Sequence, residues 1–280
     1  MATPTMPLPS LGLGTWRLGE SGATRAAEVA AVRSALELGY RLIDTAEMYG
    51  EGGAETVVGL ALAEALRAGT LRRDEIVVVS KVYPHNASRR GVPAACERSL
   101  KRLGLDRIDL YLLHWRGAHP LAETVEAFDT LVQAGKIGRW GVSNFDTDDM
   151  QELAALGAAD RCAANQVYFS ASERGPEFSL LPWLRERHIP LMAYSPIDQG
   201  SLAGDDTLAQ LGTARGLTAA QVALAWVLAQ PGVVAIPKAV KAQHLRDNFA
   251  AASVTLSAAE LKAIDKRFPP PRRKTSLSMV

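Results

Sequence analysis

EIVVVSKV (residues 75–82) and IDLYLLHW (residues 108–115) decide the fold of this chain. Each is apolar on consecutive positions and then stops in an ionisable side chain, Lys81 or His114. Strands covered on both faces read this way, because helices shield each side of a parallel sheet. Similar runs lie at 41–45, 140–144, 163–167, 191–195 and 233–238, with an eighth strand expected at 252–256. The stretches between them are helical in pattern. In AAEVAAVRSALELG, Val29, Val32 and Leu36 follow i, i+3, i+7 spacing with charges opposite. Stops at Gly39, Gly69, Gly104, Gly135 and Gly157 end such stretches. Capping boxes at Thr218/Gln221 and Ser257/Glu260 open later ones.

About eight βα units without a linker specify a (β/α)8 TIM barrel, of the size for which a single domain of ~250 residues is common. Residues 1–280 are read as that one domain, with 269–280 a short C-terminal tail. A doubly wound open sheet is the competing arrangement. It would carry GxGxxG after the first strand, and none is present. The Gly12-x-Gly14 of LGLGTW precedes the run at 41–45 and reads as a turn in an N-terminal β-hairpin.

The net charge of +1 lacks the basic footprint that nucleic acid requires. The Arg272-Arg273-Lys274 cluster reads as a solvated tail rather than a membrane contact. No stretch of ~18 uncharged apolar residues appears, so no membrane span is expected. MATPTMPLPS lacks the features of a signal peptide. Two cysteines without a CxxC pair fit a reducing compartment, hence a cytoplasmic location. Five histidines show no HxH or HExxH spacing, and no metal site is expected.

YRLIDTAEMY (residues 40–49) supplies two further ionisable groups, Asp44 and Tyr49. Active sites of such barrels lie at the C-terminal ends of the strands. Asp44, Lys81 and His114 would end the strands at 41–45, 76–82 and 108–114, with Tyr49 in the loop after the first of these. Singly, each has an ordinary explanation: a structural ion pair, a loop aromatic, a strand-end histidine. Together they form a proton donor. Asp44 can partner a buried Lys81. The ammonium would lower the Tyr49 pKa from its free value of ~10. Tyr49 could then protonate an oxygen becoming an alkoxide, while His114 donates a second hydrogen bond, a contact whose loss typically costs ~2.7–4 kcal/mol.

Along nearly its whole length the chain resembles the aldo-keto reductases. The resemblance runs through LGLGTW, GYRLIDTAEMYG, VVVSKV, LDRIDLYLLHW, GKIGRWGVSNF, ANQVYF, PLMAYSP and AIPKA, in that order, and is strongest toward bacterial members that reduce methylglyoxal and other 2-oxoaldehydes. It implies a barrel closed below by an N-terminal hairpin and a catalytic tetrad of Asp44, Tyr49, Lys81 and His114. It also implies a nicotinamide dinucleotide, NADPH with NADH as the second candidate. The cofactor residues implied are Thr15, Trp16 and Asp44; Ser143, Asn144 and Gln166 at the carboxamide; and Tyr194 stacked on the nicotinamide. Ser195 and Ile197 would follow the pyrophosphate. Lys238, Ala239, Val240, His244, Asp247 and Asn248 would surround the adenosine 2′-phosphate and adenine. Two departures weaken the preference for NADPH. Ala239 replaces a frequent Ser or Thr, and His244 replaces a frequent Arg, whose bidentate fork imidazole lacks.

Trp16, Tyr49, His114, Trp115 and Phe145 would form the substrate wall, and Arg116 and His119 read as solvated loop residues. The implied reaction is reduction of small aldehydes, 2-oxoaldehydes and some ketones to alcohols, by a monomer without nucleic-acid or membrane partners. The alternative function is a cofactor-binding redox-sensing or scaffolding subunit with little turnover.

Overall fold

The computed structural model describes residues 7–279. Eight parallel strands form one sheet in the order β1 to β8. They are β1 (Leu13–Gly14), β2 (Leu42–Asp44), β3 (Val77–Val82), β4 (Ile108–Leu113), β5 (Ile137–Ser143), β6 (Cys162–Tyr168), β7 (Leu191–Tyr194) and β8 (Val233–Ala235). The sheet closes between its ends. Gly12 N donates to Ala235 O at 2.8 Å, Ala235 N to Ser10 O at 2.8 Å and Gly14 N to Pro237 O at 3.1 Å. Outside the strands run α1 (Arg25–Leu38), α2 (Gly53–Arg67), α3 (Gly91–Leu103), α4 (Leu121–Gln133), α5 (Thr147–Ala155), α6 (Leu180–Glu186), α7 (Asp206–Thr213), α8 (Ala219–Leu228), α9 (Ala242–Ala251) and α10 (Ala258–Arg267). None is long and apolar enough to cross a membrane. The capping boxes at Thr218 and Ser257 open α8 and α10, and Gly39 and Gly104 end α1 and α3 in the left-handed conformation.

Two sequence expectations are corrected at the seam. The Gly12-x-Gly14 segment is no hairpin turn; it is the first barrel strand, parallel to β2 on one side and bridged to Ala235 and Lys238 on the other. Residues 1–6, where an N-terminal hairpin would begin, lie outside the described residues. Space explains the glycines. A Cβ at Gly12 would lie 2.2 Å from Leu42 Cδ2, and one at Gly14 would lie 2.7 Å from the Ile236 carbonyl oxygen. Residues 252–256 form no strand. They link α9 to α10, with Leu256 buried and Val254 packed against the core. Asp44, Lys81 and His114 therefore belong to the second, third and fourth strands.

The strands divide their side chains between two cores. Leu42, Val77, Val79, Leu110, Leu112, Ala164, Met192, Val234 and Ile236 fill the barrel. Ile43, Val78, Tyr111, Leu113, Val142 and Val167 face the helices. Strand side chains alternate with a period of two. Extending each inward row by two residues leads from Leu42 to Asp44, Val79 to Lys81, Leu112 to His114, Ala164 to Gln166, Met192 to Tyr194 and Ile236 to Lys238. Each fully buried Val or Leu stabilises by roughly 1.5–3 kcal/mol. That apolar plug is the rigid floor on which the charged rim stands.

Candidate active site

At the rim, Lys81 Nζ meets an acceptor in each of three directions: Asp44 Oδ2 at 2.8 Å, the Thr45 carbonyl oxygen at 2.9 Å and the Tyr49 hydroxyl at 3.1 Å. An ammonium has three donors, and all three are used. Asp44 takes a second bond from across the barrel, Gln166 Nε2 to Oδ1 at 2.7 Å. Asp44 is 2 % exposed and Lys81 is fully buried. Such a pair loses hydration from both partners and persists only with good geometry and further hydrogen bonds. Burial pulls the Lys81 pKa down and Asp44 opposes that pull.

The Tyr49 phenol departs from the sequence expectation. Burial, aided by the Asp44 carboxylate, pushes its pKa well above the ordinary value rather than below it. The Lys81 ammonium expected to lower it is itself paired with Asp44 at 2.8 Å. Tyr49 is consequently protonated at neutral pH, a group that can donate a proton, and a Lys81 N–H already points at its oxygen.

The His114 ring stands edge-on to Tyr49, with centroids 5.7 Å apart. Burial first, and then the Lys81 ammonium, hold its pKa well below the ordinary histidine value, so the imidazole is neutral. Its Nδ1 is buried and has no hydrogen-bond partner among the described residues. Orphaned buried N–H groups are rarer than orphaned acceptors, which assigns the proton to Nε2. Nε2 is thus the nitrogen with a proton to donate.

Asp44, Tyr49 and His114 open on one cavity of about 790 Å³, which Trp16, Trp115, Ser143, Asn144, Gln166, Tyr194, Ser195, Ile197, Lys238, His244, Asp247 and Asn248 also line. Asn144 Nδ2 donates to the His114 carbonyl at 3.1 Å and to Ser143 Oγ at 3.2 Å. The Tyr194 hydroxyl donates to Asn144 Oδ1 at 2.9 Å. Asn144 and Ser195 adopt φ of 56° and 49°, a left-handed strain that recurs at ligand clamps. The far arm is different. Among the described residues the side chains of Lys238 and Arg17 make no hydrogen bond or ion pair, Arg17 lying over the Trp16 ring, and Asn248 is 5 % exposed yet its side chain has no partner.

Four expected contacts do not line this cavity. Phe145 is fully buried, because the left-handed turn at Asn144 sends it into the outer core, where its carbonyl accepts Asn165 Nδ2 at 2.8 Å. Thr15 is also fully buried and spends its hydroxyl on the Asp44 carbonyl at 2.9 Å. Ala239 points inward to the core and Val240 outward to solvent. Arg116 is not simply solvated; it pairs with Glu152 at 3.0 Å and donates to the His119 carbonyl at 2.9 Å. Nor is the tail free. Lys274 bridges Asp148 at 2.9 Å and Asp146 at 3.4 Å, and Ser278 Oγ donates to Glu173 at 2.8 Å.

Sequence reasoning missed Arg17, Met48, Gln199, Thr218 and Met279 as lining residues. Arg17 and Met48 adjoin Trp16 and Tyr49, so extending each motif by one residue would have found them. Met279 is delivered by the pinned tail and left no local signal. Among the described residues no three or more His, Cys, Asp or Glu side chains converge as a metal site.

A closed parallel barrel with a buried Lys–Asp pair under a tyrosine, and a neutral histidine beside it, defines a carbonyl-reducing class of site. Residues 10–267 match the Aldo/keto reductase family, and the chain belongs to it. The chain is 49% identical over 278 residues to a methylglyoxal reductase (YeaE) of Escherichia coli, covering 98% of this chain and 95% of that protein. It is 36% identical to a glyoxal reductase of Bacillus subtilis, over 92% of this chain and 88% of the other. Among solved structures, an aldo-keto reductase from Klebsiella pneumoniae in complex with NADPH superposes with a TM-score of 0.92, at 49% identity, covering 98% of this chain and 95% of that one.

Proposed function

We propose that the protein is an NADPH-dependent reductase of small aldehydes and 2-oxoaldehydes, and of some ketones, with Tyr49 as the proton donor. The observation that carries this is the Tyr49 hydroxyl resting 3.1 Å from a Lys81 ammonium that Asp44 neutralises, beside a neutral His114. The methylglyoxal and glyoxal reductases among its relatives, and the NADPH of its Klebsiella counterpart, support the same reading.

Bound NADPH supplies the hydride to the carbonyl carbon. Tyr49 gives its proton to the carbonyl oxygen, which completes the alcohol, and Lys81 holds the resulting phenolate. His114 donates Nε2–H to the same oxygen and fixes its direction. Trp16, Met48 and Trp115 wall the approach. Ser143, Asn144, Gln166 and Tyr194 would hold the nicotinamide end. Lys238, His244 and Asn248 would hold the adenosine phosphate, where the unpartnered Asn248 amide and Lys238 ammonium fit such a group. Cys96 and Cys162 are free and buried, which fits a reducing compartment, and the protein is read as a monomer acting in the cytoplasm on a small carbonyl compound.

The test is to follow NADPH absorbance with a panel of aldehydes, ketones and 2-oxoaldehydes, running NADH alongside. Turnover on methylglyoxal and aromatic aldehydes is expected, faster at low cofactor concentration with NADPH. Tight NADPH binding without turnover on any member would overturn the assignment.

A further inference from the structure

We infer that Glu47 is a positioning residue for the Tyr49 hydroxyl, an inference that rests on Tyr49 being the proton donor. Glu47 lies between Asp44 and Tyr49, is 6 % exposed, and does not line the active-site cavity. Its surroundings explain why a carboxylate is buried there. The β2–β3 ladder does not stop at Asp44. Thr45 N donates to the Val79 carbonyl at 2.9 Å and Glu47 N to the Lys81 carbonyl at 3.3 Å. Beyond that point the chain must leave β3 and turn back, closing with Tyr49 N on the Ala46 carbonyl at 3.1 Å, to bring Tyr49 over Lys81.

The departing backbone can no longer serve the next β3 donor, and the Glu47 side chain serves it instead. Glu47 Oε1 accepts Tyr83 N at 2.8 Å and Asn86 Nδ2 at 3.0 Å, and Oε2 accepts Arg98 Nη2 at 3.3 Å. One side chain thus ties the tyrosine loop to the loop after β3 and sets where the tyrosine loop peels away. That point fixes the height of the phenol above Lys81 Nζ.

The experiment measures kcat, KM, NADPH affinity by fluorescence titration and melting temperature for Glu47→Ala, Glu47→Gln and Arg98→Ala. Glu47→Ala should lower kcat by about 10–100-fold, the scale of an ångström-sized misplacement, while the NADPH dissociation constant stays within about twofold. The pH limb for alcohol oxidation should move to higher pH, because a displaced phenol loses the Lys81 donor. Glu47→Gln should recover kcat to within about threefold, since its amide oxygen still accepts Tyr83 N and Asn86 Nδ2. Arg98→Ala should leave kcat unchanged, because Arg98 is half-exposed, water can replace it at Glu47 Oε2, and Oε1 keeps Tyr83 N and Asn86 Nδ2. A folded Glu47→Ala protein with unchanged kcat and pH limb sinks the inference, and so does Glu47→Gln falling as far as Glu47→Ala. Should Glu47→Ala not fold, Glu47→Asp withdraws the carboxylate by one methylene and must show the same kcat loss and pH shift. Absence of NADPH-dependent turnover in the unaltered enzyme would instead sink the functional proposal.

Discussion

The two arms of the cavity are built on opposite plans. On the inner arm, Asp44, Lys81, Tyr49 and Gln166 bond to one another at 2.7–3.1 Å and are settled before anything enters. On the outer arm, Lys238 and His244 stand exposed, and the Asn248 amide has no partner among the described residues. Chemistry at a carbonyl rewards donors already aimed where charge will develop, because they need not reorganise during the reaction. Binding rewards the reverse, since polar groups left open gain their bonds from the ligand. Damage to the inner arm should therefore fall on rate and stability, and damage to the outer arm on affinity and cofactor choice.

The sharpest break in that contrast is Tyr49→Phe. It removes the proton and leaves the ring, so kcat should fall by about 10²–10⁴-fold, the usual contribution of a general acid, with NADPH affinity unchanged. Rapid-mixing turnover beside a fluorescence titration checks both halves. Retention of most of the rate would remove Tyr49 from the chemistry.

Asp44→Asn attacks the same arm through stability. It strips the counter-ion from a fully buried Lys81 and sets the new amide's N–H against Gln166 Nε2. Breaking one side of a buried pair costs about 3–5 kcal/mol, to be read as a lowered urea midpoint at unchanged m-value. An unaltered midpoint would mean that Lys81 sheds its proton freely.

How far the sequence reached follows the same division. The rim groups were legible because they sit at the ends of apolar runs, and the period of two places Asp44, Lys81 and His114 on the inward row above Leu42, Val79 and Leu112. The β1 strand was not legible. Leu13–Gly14 is two residues long, and Gly12 and Gly14 are there because the Leu42 side chain and the Ile236 carbonyl lie too close for a Cβ, so the segment carries no strand signature of its own. The alternation at 252–256 misled for the opposite reason: Val254 and Leu256 are apolar to cover helices, with no strand beside them. Phe145 was misplaced because a one-residue reversal at Asn144 cannot be read from GVSNF. The tyrosine pKa moves up rather than down because burial of the phenol, joined by the Asp44 carboxylate, disfavours the phenolate, and the depth of that burial is not written in YRLIDTAEMY.

A smaller effect separates the arms by pH. Burial and the Lys81 ammonium hold His114 neutral, so below about pH 6.5 the unfolded chain binds a proton that the folded chain refuses. The stability tied to neutral His114 is complete above that pH and declines as pH falls, by at most about 1.4 kcal/mol per pH unit. His114→Gln should flatten this acid limb in urea titrations between pH 7.5 and 5. Parallel profiles for the two proteins would show that the folded state protonates His114 after all.

The smallest change is expected where the structure is loosest. His244 lies at the start of α9, exposed, on the same cavity arm as Lys238. Gln243 Nε2 already occupies Asp247 Oδ1 at 2.8 Å, so that carboxylate is partly spoken for and an incoming cation at 244 is not simply drawn to it. His244→Arg supplies a permanent charge and a planar fork suited to a phosphate, whereas imidazole offers one donor at a time. The site is solvated, so the gain is that of an exposed pair: about two- to fivefold tighter NADPH, with NADH unmoved. Lys238→Ala should move the NADPH-to-NADH ratio the other way by a similar factor, and neither change should alter kcat at saturating cofactor. Equal tightening of both cofactors by His244→Arg would mean that residue 244 senses the pyrophosphate common to both rather than the 2′-phosphate. The division between a preset chemical arm and a discriminating outer arm would then have to be redrawn around Lys238 alone.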